Sequence, residues 1–259
     1  MAESIRALRE ICQETRDDNL YSRSTFDKMF IRSASIYFTK LSLKMHISAN
    51  QATFIDFLIA IASGVLMVFA EPVCWLGGIF LFYLYLVFDC VDGEVSRYNK
   101  TSWPAGSFLD GGLGWLVWPY LLACMTFGIY QEIGSITVFV FGFMATIGWL
   151  LYMACALFPY PILHSWGRLQ EATTEGEEEG VAKEPVIMHL GRAFFGPKGF
   201  IPIVITVAVI DCFISPFAIG EFTLNARFIY LAIFAMATMA GIAMSTYNVI
   251  RYGVRIQRP

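Results

Sequence analysis

Charge is what this 259-residue chain has least of: 15% of its residues are Asp, Glu, Lys or Arg, against 57% hydrophobic. Soluble domains carry about 25% charged residues, so the deficit points away from a water-soluble fold and towards an integral membrane protein. The mean hydropathy of +0.59 agrees. Cysteine is sparse too. Cys12, Cys74, Cys90, Cys124, Cys155 and Cys212 are scattered, mostly inside apolar runs, and no CxxC pair occurs. That argues against a disulfide framework or a thiolate zinc site and leaves reduced thiols that pack. The first 50 residues contain no apolar core of the signal-peptide kind, so none is expected. With a net charge of −3 there is no basic excess, and no nucleic-acid partner is expected. No repeat recurs at a fixed period.

Long apolar stretches are what the chain does have. A bilayer core needs about 20 apolar residues per helix, and by that measure six spans are predicted, over 52–70, 74–95, 107–130, 136–158, 199–218 and 228–250. The expected fold class is all-α and polytopic. It comprises an N-terminal segment (1–47), a six-helix membrane domain (48–250) interrupted by a long loop (162–198), and a short tail (251–259). The loop carries the acidic run "TEGEEEG", read as a solvated surface segment. With six spans both termini share a side, and 17 of the 18 Lys and Arg residues fall on it; Arg227 alone lies opposite. The positive-inside rule makes that side cytoplasmic.

Ahead of the first span, 24–44 reads as a basic amphipathic helix in the headgroup plane. Phe26, Phe30, Tyr37 and Leu41 form one stripe and Lys28, Arg32, Lys40 and Lys44 another, with Ser24 and Asp27 spaced as a capping box. The alternative is a soluble helix packed on cytoplasmic loops.

Against this background the acids of 89–110 stand out. Asp89 and Asp92, three apart, project from one helix face, and Asp110 opens the next span after a turn containing Pro104 and Gly106. Two antiparallel helices joined this way would gather three carboxylates, which cannot all ionise without a shared cation. Hard oxygen donors suit Mg²⁺, Mn²⁺ or Ca²⁺, and such an ion could grip a pyrophosphate. Gly93 beside the acids removes a side chain where something must approach. Arg97, four residues on, could meet a phosphate bidentately. The plain alternative is a set of solvated helix-end charges, with Asp92, Glu94 and Arg97 in a local ion-pair set.

The strings "DCVDGEVSR" and "GSFLDGGLG" resemble the signature of the CDP-alcohol phosphatidyltransferases, D-x-x-D-G-x-x-A-R-x8-G-x-x-x-D-x-x-x-D. Asp89, Asp92, Gly93, Arg97, Gly106 and Asp110 stand at the required spacing, and "ISANQAT" resembles the family's T-P-N-x-x-T segment through Asn50 and Thr53. The resemblance implies a metal site of Mg²⁺ or Mn²⁺ on Asp89, Asp92 and Asp110. It implies a nucleotide site from Asn50, Thr53, Asp56, Gly93, Ser96, Arg97 and Gly106, a CDP-alcohol and an acceptor alcohol as substrates, and a homodimer. The implied reaction, in phospholipid biosynthesis, is displacement of CMP from a CDP-linked lipid or polyol by an alcohol.

Two positions depart from the signature. Ser96 replaces alanine, one small residue for another. Gly114 stands where a fourth aspartate should bind the second metal and act as base, and losing a positioned base typically costs about 10²–10⁴-fold in rate. Three readings follow: a transferase with another base, a weakened relative that binds substrate as a sensor or partner, or an engineered substitution. Glu94 is a poor substitute base, because two residues beyond Asp92 it points about 200° away around the helix. His164, His189 or the substrate's phosphate are the remaining candidates.

Arg192 and Lys198 are candidate ligands for an acceptor phosphate, or plain positive-inside anchors. Gly106, Gly111, Gly112 and Gly114 would permit close helix approach. Asp56 and Asp211 lie within spans, where acids can mark an ion pathway, so an ion transporter is the rival class. Asp56 lies close enough to Asn50 and Thr53 to suit the nucleotide pocket, and Asp211 reads as a hydrogen-bonded structural residue.

Overall fold

The computed structural model describes residues 3–14, 30–101, 104–157, 197–213, 217–219 and 222–256, without side-chain detail at 14, 104–111, 152–153, 155–157, 197–202, 205, 212, 217–219, 222–223 and 244–256. The chain is almost entirely helical. Helix α1 (Ile5–Arg9) runs into a π-helical turn (Glu10–Glu14), and α2 covers Arg32–Lys44. The six apolar runs become α3 (Ala49–Val68), α4 (Pro72–Asn99), α5 (Pro104–Ile133), α6 (Thr137–Leu157), α7 (Pro197–Phe213) and α8 (Ala226–Ile256). Among the described residues, four stretches are long and apolar enough to cross a membrane: α3, α4, Gly112–Ile133 of α5 and Ala226–Ala243 of α8. The run expected over 199–218 ends as helix at Phe213, and Phe217–Ile219 instead pairs antiparallel with Phe222–Leu224 in a two-stranded hairpin, β1 and β2.

Helix α3 begins with a capping box. The Ser48 hydroxyl accepts from the Gln51 amide and the Gln51 side chain accepts from the Ser48 amide, satisfying two donors that a helix start otherwise leaves open. Pro72 opens α4 at its first turn, where its missing N–H costs nothing. Helix α4 is the axis of the bundle. It packs on α3 along most of its length and also meets α2, α7 and the π turn; α3 touches α5, and α6 packs on α5 and α8.

Along α3 the small and polar residues Ala52, Asp56, Ala60, Ser63 and Gly64 face inward, while Phe54, Leu58, Ile61, Val65 and Phe69 are exposed. That arrangement inverts a soluble helix and suits lipid contact outside with close packing within. The interior is joined by rings: Phe82 meets Trp118 edge-on at 5.2 Å, Trp118 lies 4.9 Å from Trp149, and Trp149 lies 6.2 Å from Phe234. Helices α4, α5, α6 and α8 are thereby linked through aromatic contacts, each worth about 0.5–1.5 kcal/mol beyond its buried area.

Of the glycines expected to bring helices together, Gly112 and Gly114 do not, and the surroundings of Gly106 and Gly111 lie outside the described residues. A side chain at Gly112 would meet only open space, whereas one at Gly128 would strike the Met67 carbonyl of α3. Close approach is therefore set in the middle of α5. Helix α2 brings a second correction. Arg32, expected on an exposed basic stripe, is buried with Ser35, Ile36, Thr39 and Ser42, while Phe30, Tyr37 and Leu41 are exposed. Ser24, Phe26, Asp27 and Lys28 lie outside the described residues.

Candidate functional site at the carboxyl end of α4

The last three turns of α4 carry Asp89, Asp92, Gly93, Glu94, Ser96 and Arg97. Asp89 is exposed and Asp92 is buried. The Asp92 carboxylate turns towards α3, where its Oδ2 accepts from the Thr53 hydroxyl at 2.6 Å; its Oδ1 accepts from the Gly93 amide. Two of the sequence segments singled out above, 39 residues apart, thus meet side chain to side chain. Asp56, one turn beyond Thr53, is buried as well, whereas Asn50 is exposed in the first turn of α3. A small apolar cluster of Ala52, Val91 and Val95, with Phe38 and Ile47 against it, fixes the register of α2, α3 and α4 here.

Gly93 has a visible role. The Arg97 guanidinium folds back over it, with Nη1 only 3.2 Å from where a Cβ would sit. Arg97 Nε donates to the Cys12 carbonyl at 2.7 Å, so the arginine expected to meet a phosphate is held by the N-terminal segment.

Glu94 points away from Asp92, as its helical phase requires. It is wholly buried and accepts from Gln13 Nε2 and Ser35 Oγ at 2.8 Å each and from Thr39 Oγ1 at 2.5 Å. The sequence offered it only a local ion-pair set with Asp92 and Arg97; the partners it has come from the N-terminal segment and α2. The signal available was the polar stripe Ser35, Thr39, Ser42 opposite the apolar stripe of α2.

Gly114 on α5 has the Tyr85 hydroxyl as its nearest neighbour, 3.8 Å from an added Cβ. That is ordinary contact, so packing does not require a glycine. Tyr85 lies one turn before Asp89 on α4 and is a residue that sequence reasoning missed. Asp110 and Gly106 lie in the first two turns of α5, and the Asp110 side chain is outside the described residues. So are the side chain of Lys198 and the whole of His164, His189 and Arg192. Among the described residues no three His, Cys, Asp or Glu side chains form a metal-binding group. The donors that are described, the carboxylates of Asp89 and Asp92, are hard oxygens, and in kind they fit a divalent cation.

A second polar cluster occupies the other end of the bundle. Arg227 donates from Nε to Asp211, from Nη2 to Glu132 and from Nη1 to the Ala70 carbonyl, and its guanidinium lies 4.7 Å from the Trp75 ring centre. Asp211 also accepts the Ala226 and Arg227 amides, and Asn225 caps α8 by accepting from the Phe228 amide. Asp211 is thus the hydrogen-bonded structural residue expected of it.

Fold and site define a helical protein whose apolar helices are built for a bilayer and whose polar residues concentrate at the two ends of the bundle. In comparison with known proteins, the chain matches no family model and no curated protein.

Proposed function

We propose that the protein is a metal-dependent CDP-alcohol phosphotransferase, embedded in a membrane through six spans, with its termini and site on the cytoplasmic side. The observation that carries this reading is the Thr53–Asp92 hydrogen bond. The "ISANQAT" and "DCVDGEVSR" strings resemble the family separately, and chance resemblances would have no reason to meet. Exposed Asp89, one turn from Asp92, and the Gly93–Arg97 pair support the same reading. The exposed Phe30, Tyr37 and Leu41 favour α2 as an interfacial helix.

Asp89 and Asp92, with Asp110 from α5, would hold Mg²⁺ or Mn²⁺, which when bound neutralises a diphosphate. Thr53 fixes the Asp92 rotamer. Asp56 and Ser96 would serve the cytidine side, and Arg97 would meet a phosphate. Displacement breaks the bond between phosphorus and the CMP oxygen and joins the acceptor oxygen to that phosphorus. The acceptor's proton passes to a base, for which His164, His189 or the substrate's own phosphate are the candidates. Arg192 and Lys198 are the candidates for an acceptor phosphate. Homodimerisation belongs to the same proposal.

A second reading, a weakened member that binds CDP-alcohol as a sensor or partner, is favoured by Gly114, since no steric demand accounts for the lost carboxylate. The transporter reading loses support because Asp211 is committed to Arg227. The deciding experiment measures CMP release from CDP-diacylglycerol and CDP-polyols with Mg²⁺ or Mn²⁺, for the parent chain and Gly114→Asp. Release by the parent, abolished in Asp92→Asn, establishes the enzyme. Release by Gly114→Asp alone establishes the weakened member. No release and no CDP binding by either removes both readings.

A further inference from the structure

We infer that residues 4–14 form a wall of the nucleotide site, and that Glu94 is the positioning residue that latches this wall and thereby fixes Arg97; the inference rests on the proposed function above. Two attachments one helical turn apart join the segment to α4. One is the Glu94 carboxylate with Gln13 Nε2, at 2.8 Å. The other is the Arg97 Nε–H with the Cys12 carbonyl, at 2.7 Å. The same Gln13 amide donates to the Arg32 carbonyl at 3.0 Å, so one side chain ties the segment to both α2 and α4. Ser35 and Thr39 complete the carboxylate's shell from α2. Leu8 and Cys12, one turn apart, are fully buried beneath the segment.

A tail without a role would not bury a carboxylate. Removing a charge from water costs several kcal/mol, offset only when its lone pairs are satisfied. Here three donors from two separate elements satisfy it. The consequence falls on Arg97. Its side chain is held at Nε and lies over Gly93, so little of its rotamer freedom remains to be lost when a phosphate binds. Glu94 touches no reacting atom; it acts through Gln13, Cys12 and Arg97.

Cys12 supplies a reporter. Burial, and secondarily the Glu94 charge, pushes its thiol up to about 11, so alkylation at neutral pH is slow while the latch is closed. The test uses the full-length protein in detergent, with N-ethylmaleimide labelling at Cys12 followed by peptide mapping and CDP affinity measured with Mg²⁺. Gln13→Ala and Glu94→Ala are expected to label at least about 10-fold faster and to bind CDP about 3- to 10-fold more weakly. Glu94→Gln, which keeps an acceptor oxygen for Gln13, should restore most of both. In an Arg97→Ala background Gln13→Ala should weaken CDP no further, because its path to the nucleotide has been removed. Unchanged labelling in both latch variants overturns the inference, as does faster labelling with unchanged CDP affinity, or an undiminished effect of Gln13→Ala when Arg97 is absent. Those results leave the proposed function standing, whereas failure of the parent to bind CDP removes both. Gln13→Ala, at a partly exposed side chain, carries the test should Glu94→Ala fail to fold.

Discussion

The bundle has charged clusters at both ends, and they differ in how far solvent reaches them. At the α8 end, Arg227 is 2% exposed and gives its donors to Asp211, Glu132 and the Ala70 carbonyl. The Asp211 oxygens in turn take two backbone amides at the start of α8, where a helix favours negative charge. Donors and acceptors are spent within the protein, and Trp75 lies over the cation. At the α4 end, Glu94 is equally spent, but Asp89 is exposed and Arg97 half-buried. Intramembrane acids are often read as functional by default. The contrast shows that the count of charges does not identify a site; what separates the two ends is that one cluster closes around a buried cation while the other keeps a carboxylate at the surface.

The first way to break this comparison is Arg227→Met. It leaves Asp211 and Glu132 facing each other without their cation, and breaking a buried pair from one side typically costs about 3–5 kcal/mol. Thermal unfolding in detergent should show that loss while the mutant that still folds binds CDP as the parent does. A loss under about 1 kcal/mol, or a CDP defect without one, would place function at the wrong end.

Asp92→Asn is the mirror experiment. The amide keeps one acceptor oxygen, for the Thr53 hydroxyl, and loses the bond from the Gly93 amide, so stability should move by only about 1 kcal/mol. On the proposed function, metal-supported CDP binding should fall about 100-fold, because the charge of a proposed metal ligand is gone. Equal effects on both measurements would make Asp92 another structural acid like Asp211.

The same contrast shows what the sequence could and could not disclose. The apolar runs located six helices, with every start within three residues and every end within six, because a bilayer ruler acts on contiguous sequence. The opposed directions of Asp92 and Glu94 followed from helical phase alone. Pairings between distant segments did not. Nothing in the spacing links Gln13 to Glu94, 81 residues later, or Arg227 to Glu132, 95 residues earlier. Arg227 appeared only as the one basic residue on its side, because charge counting records location and not partners. Gly112 and Gly128 look alike in sequence, and only the position of α3 separates them. The Thr53–Asp92 contact is the intermediate case, suggested by two resemblances and not obtainable from either alone.

The smallest effect concerns how the two ends turn. Among the described residues, three adopt a left-handed backbone: Gly134, with φ 70°, at the α8 end, and His46 and Lys100, with φ 56° and 52°, at the α4 end. Lys100 closes α4 in a Schellman arrangement, with the Thr101 amide on the Ser96 carbonyl and its own amide on that of Arg97, at the position glycine usually fills. A non-glycine residue there costs about 1–2 kcal/mol, and replacing it with glycine returns part of the gain through the freer unfolded chain. Lys100→Gly should therefore stabilise the protein by about 0.5–1 kcal/mol, whereas Gly134→Ala should destabilise it by about 1 kcal/mol. If the strain at Lys100 is retained for a cation beside the site, Lys100→Gly should also weaken CDP binding, by an amount that shrinks as salt rises, while Lys100→Arg should preserve it. Stabilisation with no change in CDP affinity would show that the strained turn serves chain geometry alone, and the two ends would then differ only in their carboxylates.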